Sequence, residues 1–201
     1  MPALVESPRE AAVAPHRFTV EQYHRMIETG ILTEESRVEL LDGQILPKMP
    51  QNPPHRRTIL RLRNALQKRV PPAWEVATEA PITLFTSEPE PDLSVSLYEG
   101  DLDDHHPGPR ECGLVVEIAD SSLARDRTLK LRIYARDKVP VYWIVNLAER
   151  CVEVYEVPNG TRAKPRYKVC LVYTEHESVP VFLKGQKAGE IAVAEILPAK
   201  A

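Results

Sequence analysis

Two apolar segments in the second half of the chain constrain its fold more than any other feature. LVVEIA at 114–119 and VYWIVN at 141–146 are nearly uninterrupted runs rich in β-branched and aromatic residues. Runs of this length and composition are typical of strands that are buried on both faces of a sheet. Because a helical pattern at 123–137 separates them, we predict a strand, a helix and a parallel strand joined by one right-handed crossover.

Shorter patterns on both sides predict further helices and antiparallel hairpins. A helix should begin at Thr19, with Gln22 as its capping-box partner, and end at Gly30. Asp42-Gly43 is a strong signal for a tight turn between strands at 38–41 and 44–48. The other predicted elements are a helix that follows Pro53-Pro54 and runs to about Val70, strands at 74–78, 82–85, 92–97, 151–157, 167–173, 179–183 and 190–196, and a turn at 158–160.

Together these elements predict an α/β (α+β) fold with a mixed central β-sheet flanked by helices, and the last two strands extending the sheet edge. The chain has 201 residues, which suits one domain. We expect residues 1–15, rich in Pro, Ala and Glu, to form a mobile N-terminal tail, and residues 16–197 to form a single domain.

Composition excludes several classes of protein. No apolar run approaches the roughly 20 residues that a membrane-spanning helix needs, so we expect no membrane contact. Three widely spaced cysteines and the lack of a secretory signal pattern favour a cytoplasmic protein without a disulfide framework. The net charge of −3 argues against binding to nucleic acid through bulk charge, so any phosphate contact needs a local patch or a metal ion.

Glu117 is the one charged residue in the first apolar run, and it needs a partner. Burying an ionised carboxylate costs several kcal/mol unless it is paired or binds a metal. Asp92 follows Pro91 at the start of a predicted strand, so it can lie at the end of a neighbouring strand. Two carboxylates and a backbone carbonyl, with Ile118 as the candidate, form a typical oxygen site for Mg²⁺ (or Mn²⁺). Such an ion polarises a phosphodiester and activates a bound water.

The predicted helix at 123–137 supplies a cation for the same site. Arg127, Lys130 and Tyr134 are spaced to share one face of this helix. Lys130 can lay its stem on apolar surface while its ammonium group points at the sheet. A cation there would stabilise hydroxide and the charge that develops on phosphorus.

The order of these motifs resembles the PD-(D/E)xK nuclease superfamily and, within it, the large bacterial branch of Uma-type "putative restriction endonucleases". The resemblance covers about Phe18 to Leu183. It implies a restriction-endonuclease-like core in which Asp92 and Glu117 are metal ligands, with Glu39 as a further acidic member. The matching segments are RVELLDGQI, PPH with His55, EPEPDLSV, LVVEIADSS, RDRTLKLRIYAR, VPVYWIVN and VEVYE.

The chain departs from the superfamily pattern at one position. The basic pattern has a lysine two residues after the acid, where this sequence has Ala119. The resemblance implies that Lys130 on the following helix replaces that lysine, so the catalytic set is Asp92, Glu117 and Lys130. Glu39, His55 and Arg127 are accessory candidates.

Each candidate also has a purely structural interpretation, since structural networks bury charge as well. These interpretations are an ion pair of Glu117 with Arg127 or Lys130, a turn residue at Asp92, a solvated helix residue at Lys130, a solvent-facing hairpin residue at Glu39 and, at His55, a residue that caps or lines the start of the second helix. The basic stripe of Arg57, Arg61 and Lys68 is either a solvated helix face or a contact to DNA phosphates. The Asp and His residues at 101–106 are interpreted as a mobile loop.

Three functional hypotheses follow. The first is a Mg²⁺-dependent endonuclease that hydrolyses phosphodiester bonds of DNA. The second, favoured by the acidic net charge and by Ala119, is a catalytically inactive nucleic-acid-binding or protein-interaction module on the same fold. The third is a self-associating scaffold, a homodimer formed through apolar edge strands near 152–157 and 169–173.

Overall fold

The computed structural model of the protein describes residues 14–97 and 105–199. Nearly all of the predicted tail at 1–15, and most of the loop at 101–106, lie outside the described residues. Within the described residues, none of the helices has the length and apolar character that crossing a membrane requires. The elements, in chain order, are α1 (Val20–Glu28), β1 (Val38–Leu41), β2 (Gln44–Pro47), α2 (Pro53–Gln67), β3 (Glu75–Thr78), β4 (Leu93–Ser96), β5 (Cys112–Ala119), α3 (Leu123–Arg125), a π-helical turn (Asp126–Lys130), α4 (Leu131–Arg136), β6 (Val141–Asn146), β7 (Cys151–Thr161), β8 (Lys164–Thr174), β9 (Ser178–Leu183), β10 (Gln186–Ala192) and α5 (Val193–Ile196).

The central sheet has six strands in the order β3-β4-β5-β6-β7-β8. β5 and β6 are parallel, and every other neighbouring pair is antiparallel. This confirms the predicted strand–helix–strand unit and the mixed sheet. Both strands of that unit are buried along their whole length, as their apolar composition requires.

The local signals for the first helix and the first hairpin are also confirmed. Thr19 caps α1, and Gln22 completes the capping box. Asp42 and Gly43 both have positive φ, 50° and 74°, as a tight turn between β1 and β2 requires. The second helix ends at Gln67 rather than at Val70.

Apolar side chains cover both faces of the sheet. On one face, α2, the β9–β10 hairpin and α5 pack against residues such as Val116, Ile118 and Trp143. On the other face, α4 packs Ile133 and Tyr134 against Val115, Tyr142 and Ile144. Alternation along β5 therefore turns Glu117 towards the α4 face.

The predicted strand at 82–85 is wrong. The segment is a loop that folds back on itself, with the Ile82 N–H donating to the Pro89 carbonyl and the Leu84 N–H to that of Ser87. Three nearby prolines explain the difference, because proline has no N–H to donate to a sheet ladder. These prolines are Pro81, Pro89 and Pro91.

Two predictions about the C-terminal strands are also wrong. β7 and β8 continue their pairing past Pro158 to Thr161 and Lys164, so the turn is not at 158–160. β9 and β10 pair with each other as a separate hairpin instead of extending the sheet, and residues 193–196 are helical. Alternate residues of β9 are buried in the core, which means that the hairpin lies across the face of the sheet.

Replacing Gly43 with alanine should destabilise the fold more than replacing Gly30, although both have φ of 74°. Each alanine meets the left-handed backbone penalty of about 1–2 kcal/mol. A Cβ at Gly43 would also lie 2.8 Å from the Arg17 Cβ, whereas nothing lies within 4 Å at Gly30. We expect this contact to add about 1–3 kcal/mol to the loss of unfolding free energy in urea. Equal losses in the two variants would contradict the tight packing of the turn.

Candidate metal-binding and active site

A cleft of about 250 Å³ opens where the start of β4 lies beside the end of β5. Asp92 directly precedes β4 and Glu117 lies near the end of β5, so antiparallel pairing brings them to the same edge of the sheet. The rest of the lining is almost entirely polar. It includes Glu39 of β1, His55 of α2, and Arg125, Asp126 and Lys130 of the helical segment after β5.

The Glu117 carboxylate is buried, with 4% of the residue exposed, and only one of its two oxygens is occupied. Oε1 accepts hydrogen bonds from the Lys130 ammonium at 2.9 Å and from the Tyr134 hydroxyl at 2.7 Å. Oε2 accepts no hydrogen bond from the described residues. The two donors therefore fix the orientation of the carboxylate and leave one oxygen for a ligand in the cleft.

Asp92 is held in the same manner. Its Oδ2 accepts the Ile118 N–H at 2.7 Å, and His55 Nε2 lies 3.2 Å from the same oxygen. Among the residues that the structure describes, none donates to Oδ1. The Ile118 carbonyl that the sequence suggested as a third ligand stays a prediction, because the contact to Asp92 uses the N–H of that residue.

His55 lies at the start of α2, where Asn52 is the cap. Burial lowers the pKa of His55, but the hydrogen bond and charge of Asp92 outweigh burial and raise it. Because Asn52 is the cap of α2, the interpretation of His55 as the helix cap is wrong. The ring instead positions Asp92, in the way that outer residues orient carboxylate ligands in metal sites.

Lys130 is buried, with 6% of the residue exposed, and is surrounded by acids. Besides Glu117, its ammonium group lies 3.5 Å from Glu39 Oε2. Burial alone would lower the pKa of Lys130, but the charges of Glu117, Glu39 and Asp126 raise it, so the side chain is a fixed cation. The interpretations of Lys130 as a solvated helix residue and of Glu39 as a solvent-facing one are both wrong.

The acidic residues of the cleft destabilise one another's charged forms. Burial raises the pKa of Glu117 well above its usual range, and the charges of Asp126, Asp92 and Glu39 add to the rise against the opposing charge of Lys130. Burial also raises the pKa of Asp126, although Lys130 and a hydrogen bond from Ser122 oppose the rise. Carboxylate oxygens are the donor type that Mg²⁺ and Mn²⁺ prefer, so the chemistry of this lining suits such an ion.

The sequence reasoning did not select Asp126 as a site residue. It lies four residues before Lys130, a spacing that places both on one side of a helix. Both are buried in the π-helical turn, where the Leu131 N–H bonds the Asp126 carbonyl five residues earlier. π-Helical turns are frequent at functional sites. The i, i+4 spacing of Asp126 and Lys130 was the available signal.

Arg127, by contrast, is not brought to the cleft. Its guanidinium donates to Glu153 of β7 at 2.6 Å and to Glu149 at 3.4 Å. The predicted shared face of Arg127 and Lys130 is wrong, because the extra residue in the π-helical turn rotates Arg127 away from Lys130. Cys151 lies with Glu149 and Glu153 in a separate cluster whose ligand atoms are within 4.8 Å of one another, and Arg127 pairs with both of its carboxylates.

The predicted basic stripe on α2 is only partly available. Arg57 and Lys68 are exposed, while the Arg61 guanidinium donates to the Leu197 carbonyl near the C-terminus. A contact of this stripe with DNA phosphates stays a prediction.

A mixed sheet with carboxylates at its edge is the arrangement that the resemblance to restriction-endonuclease-like domains implied. The chain belongs to the Uma2 family, whose model carries the description "Putative restriction endonuclease" and matches residues 20–193. The family resemblance that the motifs suggested is thus confirmed.

Among solved structures, the fold is similar to "a putative nuclease belonging to DUF820" from Anabaena variabilis ATCC 29413, determined by crystallography at 1.96 Å. The TM-score is 0.65 at 15% sequence identity, and the match covers 89% of this chain and 97% of that chain. At this identity the likeness shows the shared fold alone. A search of the curated proteins finds no significant match.

Substitutions at Lys130 and Glu117 should change stability in opposite directions in metal-free protein. Lys130→Met leaves buried carboxylates without their cation, and we expect it to cost about 3–5 kcal/mol. Glu117→Gln removes a charge that folding disfavours while its amide oxygen still accepts the Tyr134 hydroxyl, so the melting temperature should rise at pH 7.5. Calorimetric melting in EDTA measures both. A melting temperature of Glu117→Gln below that of the wild-type protein would contradict this prediction. It would show that Lys130 fully compensates the charge of Glu117 in the folded protein.

Proposed function

We propose that the protein is a divalent-metal-dependent endonuclease that hydrolyses phosphodiester bonds of DNA. The proposal rests on two carboxylates at one edge of the sheet that are held by the protein in the same way. Asp92 and Glu117 each have one oxygen held by donors of the protein and one oxygen that no described residue occupies. Membership of a family described as restriction endonucleases supports nuclease chemistry over other uses of such a site.

The roles of the residues follow from their contacts. Asp92 Oδ1 and Glu117 Oε2 would hold Mg²⁺ or Mn²⁺, with Glu39 and Asp126 adding negative charge nearby. A bound ion of this kind polarises the phosphodiester and lowers the pKa of its water. Tyr134 and His55 orient the two ligands through their occupied oxygens.

Lys130 would act as an electrostatic group. The acids around it raise the pKa of Lys130 above its usual range, which favours the ammonium form and a role in charge stabilisation over that of a general base. It can donate a hydrogen bond to a phosphate oxygen and offset the negative charge that develops there. Its reach from the π-helical turn to the Glu117 carboxylate supports the proposal that Lys130 replaces the lysine absent at Ala119.

An inactive binding module is the second candidate function. The contacts of Lys130 favour this candidate. Among the described residues, its ammonium group is already paired with carboxylates of the protein and so is not free to contact a substrate. A module that only binds DNA or protein needs no metal at Asp92 and Glu117. Metal uptake therefore separates the two candidates more cleanly than DNA binding does.

Mn²⁺ titration by calorimetry should detect binding to the wild-type protein at pH 7.5. We expect Asp92→Ala and Glu117→Ala to weaken the affinity by at least about tenfold, as loss of metal ligands or of the residues that orient them typically does. Glu190→Ala is the matched control, because it removes an exposed carboxylate of β10 that does not line the cleft. Wild-type protein that takes up no Mn²⁺ would favour the inactive module.

Cleavage of supercoiled plasmid in Mg²⁺ or Mn²⁺ tests the enzymatic proposal directly. Asp92→Ala, Glu117→Ala and Lys130→Ala should each reduce cleavage by roughly 100-fold or more, because each removes charge that the transition state needs. Glu190→Ala should cleave at the wild-type rate. If all five proteins cut alike, the activity comes from a contaminant and the proposed catalytic set is wrong.

A further inference from the structure

The cleft that holds Asp92 and Glu117 has a surplus of negative charge. Among the described residues, eight acidic and five basic side chains line it. A phosphate group that approaches such a surface is repelled unless cations offset the charge. A divalent ion offsets only part of the surplus, so the phosphates of a bound strand need further cationic partners in the lining.

Three of the five basic side chains are already paired with carboxylates. The Lys48 ammonium bonds Glu90. His55 Nε2 lies 3.2 Å from Asp92. The ammonium of Lys130 contacts two carboxylates, at 2.9 and 3.5 Å. The other two basic residues of the lining are arginines, and each guanidinium group carries five N–H donors.

The Arg125 guanidinium is held at the cleft but keeps several donors unused. Its Nη1 donates to the Pro47 carbonyl at 3.0 Å, and its Nη2 lies 3.7 Å from the thioether sulfur of Met49. Glu39 Oε1, its partner in an ion pair, is 3.8 Å away, which is beyond hydrogen-bond distance. The Nε–H and one N–H on each terminal nitrogen donate to no described residue. The side chain is 25% exposed, so a ligand in the cleft can reach these donors.

Arg37 lines the same cleft from the position directly before β1. Its backbone is in the left-handed region, with φ of 47° and ψ of 52°, which glycine and asparagine adopt more readily than arginine does. Its N–H donates to the Glu34 carbonyl, and its own carbonyl accepts the Lys48 N–H. The exposed guanidinium group has no ion pair or hydrogen bond within residues 14–97 and 105–199. An arginine in a backbone conformation that disfavours it indicates a role for its side chain.

We propose that Arg125 and Arg37 bind phosphate groups of the substrate strand beside the proposed metal. A guanidinium group can bond a phosphate through two parallel N–H donors, whereas a lysine ammonium acts as a point charge. Glu39 approaches Arg125 with one oxygen and Lys130 with the other. One carboxylate therefore separates Arg125 from the cation of the proposed catalytic set. The inference rests on the proposed DNA substrate but not on its cleavage.

The salt dependence of DNA binding tests the proposal. Fluorescence anisotropy of a short labelled duplex gives the dissociation constant from about 50 to 200 mM salt. The buffer contains Ca²⁺, which also binds carboxylates, and electrophoresis shows that the DNA is intact at each reading. Each phosphate contact releases counterions, so Arg125→Gln and Arg37→Asn should each lower the slope of log Kd against log salt by about 0.9. Each should also weaken binding by roughly tenfold at the lowest salt.

Arg166→Gln is the matched control, because it removes an exposed arginine of β8 that does not line the cleft, and it should keep the wild-type slope. Arg125→Lys is a second variant at the first position. It should keep the slope but bind more weakly than wild type, since it retains the charge without the paired donors. Circular dichroism melts show that each variant folds. Arg37→Asn should melt at or above the wild-type temperature, because asparagine suits the left-handed backbone.

The outcomes separate this inference from the proposed function. An unchanged slope in folded Arg125→Gln or Arg37→Asn, an equal loss in Arg166→Gln, or a wild-type protein that binds no DNA would each overturn the inference. Binding with the expected slopes but without cleavage in Mg²⁺ or Mn²⁺ would overturn only the proposed nuclease activity. Cleavage with unchanged slopes would overturn only the role of the two arginines.

Discussion

The site depends on one buried cation. The ammonium group of Lys130 lies 2.9 Å from Glu117 and 3.5 Å from Glu39, so it joins the central sheet to the β1–β2 hairpin. Without that positive charge, the buried carboxylates would repel each other, and removing one partner from a buried pair is costly. The position of the hairpin against the sheet is therefore tied to the same interaction that defines the cleft.

Each carboxylate of the cleft is oriented by a group from another element. Ile118 of β5 and His55 of α2 hold Asp92, while Lys130 and Tyr134 from the helical segment after β5 hold Glu117. Arrangements of this kind fix ligand geometry before a ligand arrives, which reduces the entropy lost on binding. They also explain why the family signature is spread along the chain. Residues far apart in sequence meet at a single sheet edge.

Much of the fold could be predicted because its strongest signals are local. The Thr19 cap, the Asp42-Gly43 turn and the apolar run around Glu117 each specify an element through backbone and burial preferences of adjacent residues. The β9–β10 hairpin could not be placed, because alternation shows that one face is buried but not which surface covers it. Arg127 was placed on the wrong face because a π-helical turn leaves no recognised sequence pattern. The grouping of Asp92, Glu117 and Lys130 in one cleft was predictable from the family motif, whereas their roles in metal binding and cleavage stay predictions.

The spacing of the cleft residues along the chain has a consequence for how the protein reaches its native state. Glu39, Asp92 and Glu117 all leave the ribosome before Lys130 does, since synthesis runs from the N-terminus. A nascent chain that ends before the helix after β5 contains Glu39, Asp92 and Glu117 but does not yet contain Lys130. The ion pair between Glu39 of the first hairpin and Lys130 therefore forms only after that helix has emerged.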